Sequence, residues 1–248
     1  MMNKIETLLK NFSEFWLHFF PEAGTLDRQQ VLTELDDADF GRDSTRPDCQ
    51  LVSYQNCVAT VYGAYEQARF QVAAMGHILR SVRQFPAGGT LVSLGSGPGS
   101  YELWLLLNSQ LGKVILVDHS SEMLARATSI AKEIGVADRL QTICTDATQN
   151  SIPPHTADVI FSINALHWSS GWRAWLREAA RVGKPDAEVF ISCSLLHPRS
   201  NITPDQFGQA TREYFNISKF DMVVPPRQMP DGQTAVSSRF FFAGTKKR

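Results

Sequence analysis

The chain has 248 residues, of which 43% are apolar and 20% charged, with a formal net charge of −1; this fits one sizeable α/β domain with an added lobe and excludes disordered and collagen-like classes. The balanced charge removes the electrostatic case for nucleic acid, which rests on clustered Lys and Arg, because the one basic run is the terminal Lys246-Lys247-Arg248. Cys49, Cys57, Cys144 and Cys193 form no CxxC pair and have no His-x-x-x-His companion, so neither a disulfide framework nor a metal site is expected.

In chain order, Ile5, Leu8, Leu9, Phe12, Phe15, Trp16, Phe19 and Phe20 recur at helical spacing and are interrupted by Glu6, Lys10 and Glu14. The pattern predicts an amphipathic helix and neither a signal peptide nor a membrane span, which needs about 20 apolar residues. The chain is read as cytoplasmic, with its Asn-x-Ser/Thr sequons at Asn11, Asn201 and Asn216 as chance matches. A break rich in charged and turn-forming residues follows from Gly41 to Pro47, then a long helical stretch from about Tyr54 to Phe85. The composition changes at Pro86-Ala87-Gly88-Gly89, dividing an N-terminal helical segment, residues 1–88, from a core, residues 89–248.

In the core, β-branched runs alternate with amphipathic segments, as in a parallel sheet with crossover helices. Strands are expected at Thr90 to Leu94, Lys113 to Val117, Arg139 to Cys144, Ala157 to Ser162 and Glu188 to Cys193, with helices after Ser100, Ser121 and Ser170. A helix near Gln206 to Phe215 and strands at Phe220 to Val224 and Ser237 to Gly244 complete the chain. Pro225-Pro226 and Asp231-Gly232 between those last strands suggest an antiparallel hairpin.

The loop Gly95-Ser96-Gly97-Pro98-Gly99 lies between a strand and a helix, so backbone can approach a ligand closely at the helix N-terminus. A dinucleotide fingerprint wants Gly or Ala three residues after Gly97, where this chain has Ser100. The second strand ends in Val117-Asp118-His119, placing a carboxylate beside the loop.

The G-x-G-x-G spacing resembles motif I of the class I S-adenosylmethionine-dependent methyltransferases. Asp118-His119-Ser120-Ser121-Glu122-Met123-Leu124 resembles their D-x-S-x-x-M-L segment, and Thr145-Asp146-Ala147 their G-D-A segment. Ala157 to Trp168, ending in Leu166-His167-Trp168, resembles the stretch after strand four of the trans-aconitate and malonyl-carrier-protein O-methyltransferases. The resemblance covers roughly residues 90 to 195. It implies a Rossmann-like, mostly parallel seven-stranded sheet with an antiparallel last strand, covered by the N-terminal helical lid.

It also implies S-adenosylmethionine as cofactor, with S-adenosylhomocysteine as product. Gly95, Ser96, Gly97 and Gly99 would cradle it, Asp118 would meet both ribose hydroxyls with His119 next to it at the cofactor, Met123 the adenine face, and Asp146 and Ala147 the adenine edge. This sequence departs at Ser93, where the family usually has Asp or Glu near the methionine amine. Carbonyls at Gly95 and Ser162 are then the expected acceptors. Tyr65 and Arg69 resemble an aromatic-x-x-x-Arg stretch that folds over the cofactor, with a ring for the sulfonium and a guanidinium for the carboxylate; ordinary helix packing accounts for them as well.

His167 lies beyond the fourth strand, where ligands bind in open α/β sheets, and suits a general base. A structural histidine fits that position too. The reaction read from this pattern is methyl transfer to O, N or C of a small molecule, with no nucleic acid, membrane or metal and with a homodimer left open. The rivals are a lyase or cyclase using the sulfonium only as charge, a non-catalytic binding protein whose Phe- and Trp-rich first helix is an interaction surface, and a nicotinamide-dinucleotide binder.

Overall fold

The computed structural model describes residues 4–27, 30–31, 55–66, 68–81, 85–169, 171–195, 202–222, 227–228, 234–235 and 238–248. The expected break at Gly41 to Pro47 lies outside them. Two N-terminal helices, α1 (Lys4–Phe19) and α2 (Glu22–Thr25), precede helical residues 55–60, α3 (Tyr62–Tyr65) and α4 (Ala68–Ser81). Then follow β1 (Thr90–Leu94), α5 (Ser100–Asn108), β2 (Lys113–Asp118), α6 (Ser121–Glu133), β3 (Leu140–Cys144), β4 (Ala157–Ile163), α7 (Trp172–Val182) and β5 (Gly183–Leu195). The chain ends with α8 (Pro204–Tyr214), β6 (Phe215–Met222), the short strands β7 (Arg227–Gln228) and β8 (Thr234–Ala235), and β9 (Ser238–Lys246).

Seven of these strands form one sheet in the order β3-β2-β1-β4-β5-β9-β6. The first five in that order run parallel, and β9 is antiparallel to both β5 and β6. Order reverses between β1 and β4, so the carboxyl ends of these strands form the crevice in which open α/β sheets hold ligands.

Burial explains the strand types. Leu91, Val92, Ser93 and Leu94 of β1 are all buried, as expected of a central parallel strand covered on both faces. Gly183 pairs with Ala157 ahead of a register shift, so β5 starts before the expected Glu188. In α7, Trp172, Trp175, Leu176, Ala179 and Ala180 face inward at the three- and four-residue spacing of a helix. Thr203 starts α8 through a capping box with Gln206, with Pro204 in its first turn.

Two observations revise the N-terminal reading. Phe12, Trp16 and Phe20 are 0% exposed, and Phe12 lies 5.6 Å from the Tyr101 ring and 5.7 Å from that of Trp104. These three rings are therefore spent inside the core, each contributing roughly 1.5–3 kcal/mol by burial, while Leu8, Leu9, Phe15 and Phe19 of the same stripe are half-buried. The expected helix from Tyr54 to Phe85 is broken. Val61 leaves helical geometry at φ −122° and ψ 21°, and Glu66 is extended at φ −93° and ψ 134°.

Arg126 of α6 ties these short helices to the core. Its guanidinium donates to the Ala59 carbonyl at 2.7 Å and the Phe19 carbonyl at 2.9 Å, and pairs with Glu22 at 2.7 Å. Glu22 also accepts from the Gly63 amide at 2.9 Å.

Candidate functional site

A cavity of about 290 Å³ opens at the carboxyl ends of β1, β2 and β4, near the lower size of small-molecule sites. Its floor is the loop after β1, where Gly95, Ser96 and Gly97 line the space. The amides of Gly95 and Ser96 donate to the Val117 carbonyl at 2.7 and 3.1 Å, which folds the loop back over β2. A Cβ at Gly95 would stand 2.4 Å from that of Ala165, and one at Gly97 would meet nothing within 4 Å. Both have positive φ, 67° and 55°, where other residues are strained. Gly95 is thus demanded by packing, and Gly97 by backbone geometry beside open space.

Asp118 ends β2 and is 9% exposed. Its Oδ2 accepts from the Gly97 amide at 2.8 Å and its Oδ1 from the Ser120 amide at 2.9 Å. Each oxygen keeps a second acceptor direction, so the carboxylate can order the glycine loop and still receive two hydroxyl donors. Met123, 3% exposed, is set beside it because Ser120 caps α6 by accepting from the Met123 amide at 3.2 Å. Ser120 also donates to Asn56 at 2.5 Å, drawing residues 55–60 over the cavity. Val58, Ala59 and Met123 form one apolar cluster, with Tyr62 and Trp168 packed against it.

Asp146 follows β3 and lines the cavity with Ala147. Its Oδ1 accepts from the amide and the hydroxyl of Thr148, both at 2.6 Å, fixing the carboxylate on its turn. His119 lines the same side. The opposite wall comes from Ile163, Asn164 and Ala165 after β4, with Trp168, Ser169 and Trp175 behind them. Asn164 has φ 61°, which Asn tolerates better than most residues, and its amide donates to Ser192 Oγ at 3.0 Å.

The structure thus gathers Gly95, Ser96, Gly97, Asp118, His119, Met123, Asp146 and Ala147 around one space. Gly99 is not in that lining; it stands at the start of α5, where a Cβ would meet Leu116 at 2.5 Å. Ser162 is 0% exposed within β4, one residue short of the lining, and its hydroxyl has no partner among the described residues. Tyr65 ends α3 and Arg69 lies in α4; their side chains fall outside the described set. His167 lies behind the wall, 4% exposed, and its Nδ1 accepts from the Ser194 amide at 3.2 Å.

Sequence reasoning missed Gln55, Val58, Glu66, Asn164 and Trp175 as lining residues. Glu66, 9% exposed, receives hydrogen bonds from Gln71 at 3.3 Å and Asn164 at 3.4 Å. The described lining holds three carboxylates, Glu66, Asp118 and Asp146, and no Lys or Arg, so it favours a ligand carrying positive charge.

Ser93 does not face this cavity. Its hydroxyl donates to Glu102 at 2.6 Å, and burial raises the Glu102 carboxyl from its ordinary value to about 7 against the lowering effect of the Ser93 bond. No group of three His, Cys, Asp or Glu that could hold a metal occurs among the described residues. Nor is any described helix long and apolar enough to cross a membrane.

Residues 92–191 match the model of the methyltransferase domain family. The fold is similar to that of an S-adenosylmethionine-dependent methyltransferase from Aquifex aeolicus, at 19% identity over 69% of this chain and 88% of that one, with a TM-score of 0.54. It is also similar to geranyl diphosphate C-methyltransferase from Streptomyces coelicolor A3(2), at 13% identity over 82% and 86% of the two chains and a TM-score of 0.60. A third likeness is to the [4+2]-cyclase SpnF, at 18% identity over 71% and 82%, with a TM-score of 0.59. The core has the Rossmann-like fold of the class I methyltransferases.

Proposed function

We propose that this chain, whose residues 92–191 match the methyltransferase domain family, binds S-adenosylmethionine in the cavity at the β1, β2 and β4 ends and transfers its methyl group to O, N or C of a small molecule. The observation that carries the reading is Asp118, which holds the Gly97 amide and lines the cavity together with Met123 and Asp146. That arrangement fits an adenosine. Asp118 offers acceptors to the two ribose hydroxyls, Met123 an apolar face to the base, and Asp146 with Ala147 the base edge. The three carboxylates of the described lining, Glu66, Asp118 and Asp146, fit a sulfonium.

The cofactor supplies a methyl group already activated by a good leaving group. What the chain adds is alignment, exclusion of water and removal of a proton when the acceptor has one. Val58 and Tyr62 line the cavity from the N-terminal segment and Trp168 and Trp175 wall it, so apolar side chains stand where water would have to be displaced. His167 we assign to positioning. Through Ser194 it holds the turn that presents Trp168 and Ser169.

Incubation with S-adenosylmethionine and a panel of small hydroxyl, amine and carbon acceptors, read by mass, should give a product heavier by one methyl group together with S-adenosylhomocysteine. Under saturating cofactor, His167→Ala should retain at least roughly a tenth of the turnover, because a general base is worth about 10²–10⁴-fold. A larger loss would return His167 to the role of base. The likeness to a cyclase gives the second reading its weight; a converted acceptor without added methyl mass would select it.

A further inference from the structure

The reading of the cavity as an adenosine site leaves one end of the ligand without a named counter-charge. Neighbouring strands are about 4.8 Å apart, so the ends of β3, β2, β1 and β4 span about 14 Å in a row. Asp146 marks the first, Asp118 the second, the glycine loop the third and Asn164 the fourth. A ligand laid along this row with its base by Asp146 and its ribose by Asp118 has its sulfur over the glycine loop and its amino-acid end at β4. There the side chains close to Asn164 decide what it meets.

β1 offers no carboxylate to that end, because Ser93 is 0% exposed and its hydroxyl is committed to Glu102 on the α5 side of the sheet. Glu66 is the lining carboxylate that remains. It belongs to the N-terminal segment, yet Asn164 Nδ2 donates to its Oε1 and Gln71 Nε2 to its Oε2. The extended geometry of Glu66 after α3 interrupts the helix at this residue and delivers its side chain to the cavity. Two amide donors orient both oxygens, one of them from the β4 end itself.

We infer that Glu66 binds the α-ammonium group of the cofactor's amino-acid half, replacing from the covering segment the acid that β1 lacks. The inference rests on the adenosine-site reading. It makes closure of residues 55–66 part of cofactor binding, since the segment carries a counter-charge as well as an apolar cover.

Titration calorimetry with two nucleosides separates this role from a structural one. S-adenosylhomocysteine carries the amino-acid group, whereas 5′-methylthioadenosine shares the adenosine and the sulfur without it. Glu66→Gln should weaken S-adenosylhomocysteine roughly 10–100-fold, the size of one lost charge-assisted bond, and leave 5′-methylthioadenosine within about twofold. Glu66→Asp should recover part of the loss. An equal loss for both ligands would reduce Glu66 to a structural member of the lid and overturn the inference. No loss for either, with turnover reduced, would overturn it and assign Glu66 to the acceptor. Failure of the wild-type protein to bind either nucleoside would reject the adenosine site itself, and the inference with it.

Discussion

At the residue scale, the burial of the Glu102 carboxyl beside the Ser93 hydroxyl has a consequence for pH. Glu102 is 1% exposed on α5 and its carboxyl is raised to about 7 by burial. The folded state therefore holds this proton more firmly than the unfolded state does. Its stabilising contribution is full below the ordinary value of 4.5 and is lost as pH rises through about 7. Each tenfold change in proton affinity is worth about 1.4 kcal/mol, so wild-type protein should lose about 3 kcal/mol more stability than Glu102→Gln between about pH 4.5 and 8, read by urea denaturation. Parallel pH profiles would show that the Glu102 carboxyl titrates alike in the folded and unfolded protein.

Individual side chains were unequally legible. Asp118 and Asp146 could be read because each sits at or just after the end of a strand, where sequence position alone fixes which end of the sheet it occupies. Glu66 could not, since its place depends on the break after α3 and on Asn164 across the cavity. Asn164 adopts φ 61° with no glycine to announce it. His167 shows the opposite case: the sequence placed it at the correct end of β4, but the turn directs its ring behind the wall, toward Ser194.

At the element scale, the strands were legible within a few residues because Leu91, Val114, Val159 and Val189 lie in the apolar runs that parallel strands need. The N-terminal helices were legible as helices, but not in their docking. Helical spacing names a buried face without naming the surface it buries against. Here α1 lies on Tyr101 and Trp104, while Arg126, Glu22 and the carbonyls of Phe19 and Ala59 form the clasp that holds residues 55–66 over the cavity.

The Arg126 and Glu22 side chains are 20% and 12% exposed, so removing the guanidinium leaves a largely buried carboxylate and two carbonyls without their donor. Arg126→Met should cost about 2–4 kcal/mol in urea unfolding and speed amide exchange across residues 55–66. A loss below about 0.5 kcal/mol would place the clasp among ordinary surface pairs.

At the scale of the whole molecule, the sheet order and the glycine loop create a crevice, and the N-terminal segment turns it into a walled cavity. The sheet supplies fixed acceptors at the ends of β2 and β3, and the cover supplies Val58, Tyr62 and Glu66. On the proposed function, ligand binding is coupled to the seating of that segment. A ligand that binds only the folded form stabilises it by about 2.7 kcal/mol at about a hundred times its dissociation constant, so the cofactor should raise the melting temperature of the whole chain.

The central claim is that Asp118 and the loop it tethers form an adenosine site for S-adenosylmethionine. Calorimetric titration of S-adenosylhomocysteine into wild-type and Asp118→Ala protein, repeated in the presence of NAD, tests it most directly. The account predicts one site per chain, no competition from NAD, and a loss of about 1.5–3 kcal/mol in the variant. Equal affinity in the two proteins, or displacement by NAD, would contradict it.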